Sequence, residues 1–471
     1  MFTKCKVKTV FLVLTAFFSV SAFSAELNAD SKSVQKENSS NAAPPEVQFV
    51  QELQTILETG DLDKAIASFD QMPQNIKDDV NLLLIKASLL ISASRLQEAS
   101  DLTDLLEQRE PSNIEVLEMK IVIAKARGNS SKDIQAKKAA ISKVIALDPN
   151  NATANIELAQ EQVLQRKYKI ARNYYKKALV SSPENMSALF GLGQTSYYLN
   201  DIEASRIAFK KMLALNPQEA IAWQYLAKLE AEDENYKKAA EYIKKAVLLD
   251  DANPDFYMDL GTYSRFLGKF ADAEKAWTKA IELNPKDFLA YAYRAGLYDE
   301  QNKFDLALKD YRKVVETNPK YYFAYESLGI LAWHEQNWDE ARIAFEKAFS
   351  YNKENVSYPL MIAACYIKMN KLQQAKVFLA SVMKTKADKN TLEYQMLRLY
   401  HDQGPGNAEN DIALRIQKED KSTTRGKMMY YFGLYYEMKG ISNLAAKYYA
   451  EIKNMQSPMF FEYRLAEWSL Q

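Results

Sequence analysis

The chain has 471 residues, 48% hydrophobic and 26% charged, with 61 basic side chains balancing 61 acidic ones. A formal net charge of 0 gives no support for wholesale binding to nucleic acid or to an anionic membrane surface, and two cysteines are too few for a disulfide framework. The length suits about three globular domains, unless a repeat removes the need for one central core.

Lys4, Lys6 and Lys8 precede a short, mostly apolar run from Val10 to Val20, and Ala22, Ser24 and Ala25 follow it. This is the pattern of a secretory signal peptide, placed over residues 1–25. A bilayer needs about 20 apolar residues and this run is shorter; an uncleaved N-terminal anchor is the alternative. Export places the chain in the periplasm of a two-membrane bacterium, or outside the cell otherwise, with no integral membrane segment after cleavage. Removing the signal moves the formal charge from 0 to about −3 and takes Cys5 with it. Cys365 then remains, in the tight stretch Ala363-Ala364-Cys365-Tyr366, and reads as a buried structural thiol. Residues 26–45 are rich in Ser, Asn, Lys, Gln and Pro and read as a disordered linker.

A repeat then begins. Six small residues recur every 34 positions: Gly193, Ala227, Gly261, Ala295, Gly329 and Ala363. Twelve residues after each comes another small one, at Ser205, Ala239, Ala273, Ala307, Ala341 and Ala375. Four further on stands a bulky one: Phe209, Ile243, Trp277, Tyr311, Phe345 and Leu379. Pro183, Pro217, Pro285 and Pro319 follow the same period, at points where a helix must start afresh and where a fixed φ suits a first turn. Small residues let two helices approach at their crossing, while the large residue is expected to fill the space between one hairpin and the next. Gly268 suits the turn inside a unit, as do Asn200-Asp201, Asn302-Lys303 and Asn370-Lys371. The pattern extends upstream through Ala171 and Tyr175, Ala87 and Ala99, and Ala65 and Phe69. The unit between Pro111 and Pro149 carries extra residues, placed in a longer turn at Gly128–Lys132. Register weakens at Gly404-Pro405-Gly406 and recovers at Gly433, Ala445 and Tyr449.

Tyr291 to Pro319, with Ala295, Tyr298, Ala307 and Tyr311, and Trp223 with Leu226 and Ala227, resemble the tetratricopeptide repeat, W-x2-L-G-x2-Y, then A-x3-F, then P. The resemblance implies an all-α fold, a right-handed superhelical solenoid of stacked antiparallel helix pairs. The solenoid is expected over 46–389 in about ten units of 34-residue period. Degenerate and regular units follow over 390–458, and a capping helix containing Phe461, Leu465 and Trp468 over 459–471.

In that family the first helix of each unit lines the concave surface, where partners often bind. Carried over by register, the candidates are Phe190, Gln194, Tyr197 and Tyr198, with Ser187; Met258, Arg265 and Phe266, with Asp255 and Thr262; and Phe323, Glu326, Trp333 and His334, with Ile330. Gln224, Lys228, Glu232, Asp299, Glu300 and Lys368 fill the groove between. This lining, aromatic with scattered charge of both signs, suits an extended peptide or protein segment better than a polyanion.

No catalytic constellation stands out. His334 and His401 are the only histidines and lie 67 residues apart, which leaves no metal-ligand spacing. His334-Glu335 lacks the second histidine of a zinc-protease helix, since position 338 is Trp, and Gly404-Pro405-Gly406 lacks the Lys-Ser pair of a phosphate loop. The sequence therefore predicts a non-enzymatic interaction scaffold of the bacterial cell envelope, with one or more envelope proteins as partners, no cofactor, no metal and no nucleic acid. A structural subunit of an envelope or secretion complex is the alternative, ahead of a glycan-binding protein or enzyme; the sequence does not set the oligomeric state.

Overall fold

The structure is a computed structural model that describes residues 44–128, 130–404, 407–455 and 459–471. The predicted signal peptide, the predicted linker up to residue 43, Asn129 of the long turn and Pro405-Gly406 lie outside these residues. Among the described residues there are 25 α-helices, one short 3-10 turn at Phe69–Gln71 and no strand. Pro45, placed in the linker by sequence, opens the first helix.

The helices follow one another as pairs. Ten run from α1 (Pro45–Glu58) and α2 (Leu62–Ser68) through α3 (Val80–Ser92), α4 (Leu96–Arg109), α5 (Ile114–Arg127), α6 (Ser131–Leu147), α7 (Ala152–Leu164), α8 (Tyr168–Ser181), α9 (Met186–Tyr198) and α10 (Ile202–Leu215). They continue with α11 (Ala220–Glu232), α12 (Tyr236–Leu249), α13 (Pro254–Phe266), α14 (Phe270–Leu283), α15 (Phe288–Glu300), α16 (Phe304–Thr317), α17 (Phe323–His334), α18 (Trp338–Tyr351), α19 (Ser357–Lys368) and α20 (Leu372–Lys384). Two further pairs, α21 (Leu392–Asp402) with α22 (Asn407–Lys418) and α23 (Ser422–Met438) with α24 (Ser442–Lys453), precede the single helix α25 (Phe461–Ser469). The fold class is an all-α solenoid of stacked helix pairs. Two compact units are distinct, residues 44–226 and 227–471.

Local chemistry sets the hairpins. The first helix of a pair ends on a left-handed residue, at Arg166, Asn200, Glu234, Gly268, Asn302, Gln336 and Asn370, each 34 after the last, with φ from +56° to +70°. The next N–H turns back to the helix: Asp201 N–H reaches the Ser196 carbonyl at 2.9 Å, which satisfies an orphan acceptor at the C-terminus. Asp201 then caps the following helix, its carboxylate accepting the Ala204 N–H at 3.3 Å. The periodic prolines do not enter a helix first turn as expected. Pro183, Pro217, Pro285 and Pro319 stand in the turns between pairs, whereas Pro45, Pro254 and Pro359 do lie in a first turn. The Pro217 and Pro319 carbonyls accept from the side chain six residues on, Trp223 Nε1 at 3.1 Å and the Tyr325 hydroxyl at 3.2 Å.

The crossing of each pair explains the Gly/Ala alternation. The bulky residue stands 16 positions after the small one, on the second helix of the same pair, and its ring lies directly on it. A Cβ at Gly193 would come within 2.7 Å of Phe209, at Gly261 within 2.4 Å of Trp277, and at Gly329 within 2.9 Å of Phe345. Gly433 and Tyr449 repeat the arrangement at 2.8 Å. Where Ala replaces Gly, the partner is Ile243 or Leu379, with Tyr311 the aromatic exception. The volume at the crossing is thus shared between two positions. The large residue therefore fills its own hairpin first; Phe209 also reaches the next one, stacking on Tyr225 at 4.6 Å.

Candidate protein-binding face

The sequence-predicted binding residues sit on first helices: α9, α13 and α17. In the unit of residues 44–226, Phe190 packs edge-on to Phe209 and Tyr225, at 6.3 and 5.8 Å. Gln194 donates to the Tyr225 hydroxyl at 2.8 Å, and Tyr197 meets Tyr225 at 5.9 Å. Phe190, Gln194 and Tyr197 thus converge on Tyr225, a residue the sequence reading did not single out. Tyr198 stacks on Tyr168 at 4.8 Å and is 51% exposed.

In the unit of residues 227–471, Phe266 is 59% exposed and lies flat on Tyr236, 4.3 Å apart and 5° from parallel. Arg265 beside it forks onto Glu300 of α15. Met258 is half-buried, its carbonyl taken by Trp277 Nε1 and the Thr262 hydroxyl. Lys228 pairs with Asp259 at 3.7 Å.

Further along, the same face is covered. Trp333 is only 8% exposed and packs edge-on to Trp338 at 4.7 Å, so it serves the core. His334 lies between Phe304 and Trp468 of α25, at 4.8 and 4.2 Å. Glu326 accepts from the Tyr358 hydroxyl at 2.6 Å; burial, with Glu326 as acceptor, pushes that hydroxyl pKa well above its ordinary value. Lys368 donates to Glu437 at 2.8 Å and lies over Trp338. Asp299, expected to line the groove, is bound by Arg464 at 2.6 and 2.8 Å. Phe323 remains open, 62% exposed among Tyr321 and Tyr322.

Sequence reasoning missed one regularity. The residue that opens a second helix meets the residue 30 later, at the end of the next first helix: Tyr168 with Tyr198, Tyr236 with Phe266, Phe304 with His334, and Trp338 with Lys368. The offset is legible in the sequence once both helix boundaries are known.

Other features carry little chemistry. A cleft of about 910 Å³ lies between α13 and α14, lined by Tyr257, Ser264, Lys275 and Glu282 among others. Cys365 is fully buried, and burial raises its thiol pKa. Among the described residues no cluster of three His, Cys, Asp or Glu side chains is arranged to hold a metal ion, and no helix is long and apolar enough to cross a membrane.

Family models described as tetratricopeptide repeat match residues 156–255, 258–354 and 332–399. The chain belongs to the tetratricopeptide repeat family. Tetratricopeptide repeats typically mediate protein–protein interaction. The chain is similar to the TPR repeat-containing protein YpiA of Bacillus subtilis strain 168, 20% identical over 378 residues that span 74% of this chain and 89% of that protein. Among solved structures it is similar to pilF of Pseudomonas aeruginosa, 20% identical with a TM-score of 0.40, over 44% of this chain and 93% of that one. It is also similar to a chain of the APC/C hetero-tetramer Cut9–Hcn1, 15% identical with a TM-score of 0.42, over 68% and 62% of the two chains.

Proposed function

We propose that this tetratricopeptide repeat chain is a non-catalytic scaffold of the bacterial cell envelope, working in the periplasm after export, that holds protein segments on its first-helix face. One observation carries this reading: aromatic pairs recur in the same register on that face, and Tyr168/Tyr198 and Tyr236/Phe266 leave large ring surfaces open to solvent. Rings beside a mixed set of charges give a partner both apolar contact and orientation. Because the face is built from packed helices, little ordering entropy is lost on binding. The signal-like start of the sequence supports export.

A photo-cross-linking residue at Phe266 or Tyr198 in growing cells tests this. Discrete adducts with envelope proteins are expected from both, and none from Leu248, a still more open position at the end of a second helix. Equal capture from Leu248, or none from the aromatic positions, would contradict the reading. Export is checked by fractionation and N-terminal sequencing: a periplasmic chain that starts near residue 26 supports it, and a cytoplasmic chain starting at residue 1 or 2 opposes it.

A further inference from the structure

Helix α25 lies where a ligand of the first-helix face would lie. Its nine residues reach four first helices. Phe461 stacks on Tyr358 of α19, 6.4 Å apart and 7° from parallel. Glu462 accepts from the Tyr431 hydroxyl of α23 at 2.8 Å. Arg464 forks onto Asp299 of α15 and lies over the rings of Phe304 and Trp468. Trp468 rests on His334 of α17 and meets Phe304 edge-on at 5.1 Å. A helix that only closed the last pair would cover α23 and α24. This one also grips a carboxylate 165 residues upstream. Its specific contacts come from an aromatic ring, an arginine three residues later and an indole four beyond that, all on one helix face.

We propose that the surface of α15, α17 and α19 is a recognition groove for a helix of the pattern aromatic-x-x-Arg-x-x-x-Trp, that α25 is its resident occupant, and that a partner protein presenting such a helix competes with it. Asp299 reads the arginine through a bidentate pair, which a lysine would not reproduce. Phe304 and His334 form the slot for the indole, and Tyr358 the platform for the leading ring. The proposal rests on reading the first-helix face as the partner surface. It also explains why Tyr236/Phe266 is open while Phe304/His334, the corresponding pair 68 residues on, is not. A tethered helix acts at an effective concentration near millimolar, so a free competitor gains access chiefly when α25 is weakened or the competitor is multivalent.

The test uses the full chain and a fluorescein-labelled peptide of residues 459–471, read by fluorescence anisotropy. In one chain Arg464→Ala and Trp468→Ala loosen α25 and leave the groove intact. The peptide is expected to bind this variant at least tenfold more tightly than it binds the unaltered chain. Adding Asp299→Arg should abolish that binding, and a peptide carrying Arg464→Glu should restore it. Equal binding to both chains, or none to a variant whose far-UV spectrum and melting show it folded, overturns the proposal. Should that variant not fold, Asp299→Arg alone serves: it is expected to take the Arg464→Glu peptide in preference to the unaltered one, and the reverse preference overturns the proposal. A dimer of the unaltered chain in light scattering that the peptide dissolves would make the occupant a second copy, and also overturns it. If the peptide arm fails while cross-links at Phe266 persist, this inference falls and the scaffold reading stands; the opposite result separates them the other way.

Discussion

Two stretches of one face in residues 227–471 differ in what lies on them. Around α13, Phe266 shows a broad ring to solvent and Arg265 pairs with Glu300. Around α17 the equivalent positions are covered: Trp333, 68 residues after Arg265, is buried, and His334, 68 after Phe266, lies between Phe304 and Trp468. The hairpins beneath are alike, with the same left-handed turns and the same ring-on-small-residue crossings at Gly261/Trp277 and Gly329/Phe345. The difference arises from the last fifty residues. Helix α23 is buried on every side from Met428 to Tyr436, as a helix apolar all round must be, and α25 adds Phe461, Arg464 and Trp468. What such a face leaves open to solvent is therefore set by what the chain lays over it as much as by the face itself.

The largest expected effect separates the two stretches directly. Trp333→Ala should cost about 3–5 kcal/mol, the range for removing a large buried aromatic side chain, whereas Phe266→Ala, exposed beyond half, should cost about 0.5 kcal/mol. Chemical denaturation of the two variants checks this; similar losses would erase the distinction.

A second expectation concerns Glu462 of α25, fully buried, with Oε2 unpaired among the described residues. Burial raises its carboxyl pKa above the ordinary value against the opposing pull of Lys427. The folded chain thus holds this proton more tightly than the unfolded one. The stability it contributes is complete below the ordinary glutamate pKa of about 4.3 and is lost as pH rises from there through the raised value. Glu462→Gln stays neutral throughout. The melting temperature of the variant should therefore gain on the unaltered chain as pH rises above about 4.3. A difference that stays constant from pH 4 to 8 would contradict this.

A smaller effect belongs to the turns. Gln336 sits at φ +59°, where a Cβ is strained and glycine is not. Gln336→Gly should raise stability by up to about 1 kcal/mol in thermal melts, while Gly268→Ala at the corresponding turn, φ +70°, should lower it.

Most of the scaffold was legible in the sequence because the crossing chemistry is local. A small residue and its bulky partner lie 16 apart, and the turn residues repeat every 34. The role of Trp333 was not legible. It stands in the first-helix register of Arg265, one residue from that of Phe266, and Trp338 and the surrounding core decide that it is buried. The grip of Arg464 on Asp299 was equally hidden, since no periodicity links residues 165 apart. Trp468, expected in a cap, was placed on the correct helix but not against His334. The predicted export signal and the predicted linker up to residue 43 fall outside the described residues.

The central claim is that α25 is seated on the first-helix face through Arg464 and Asp299. A double-mutant cycle of Arg464→Ala and Asp299→Ala, read by chemical denaturation, tests it most directly. A partly buried bidentate pair predicts that the two losses overlap, with a coupling of about 1–3 kcal/mol; losses that add to within about 0.5 kcal/mol would contradict it.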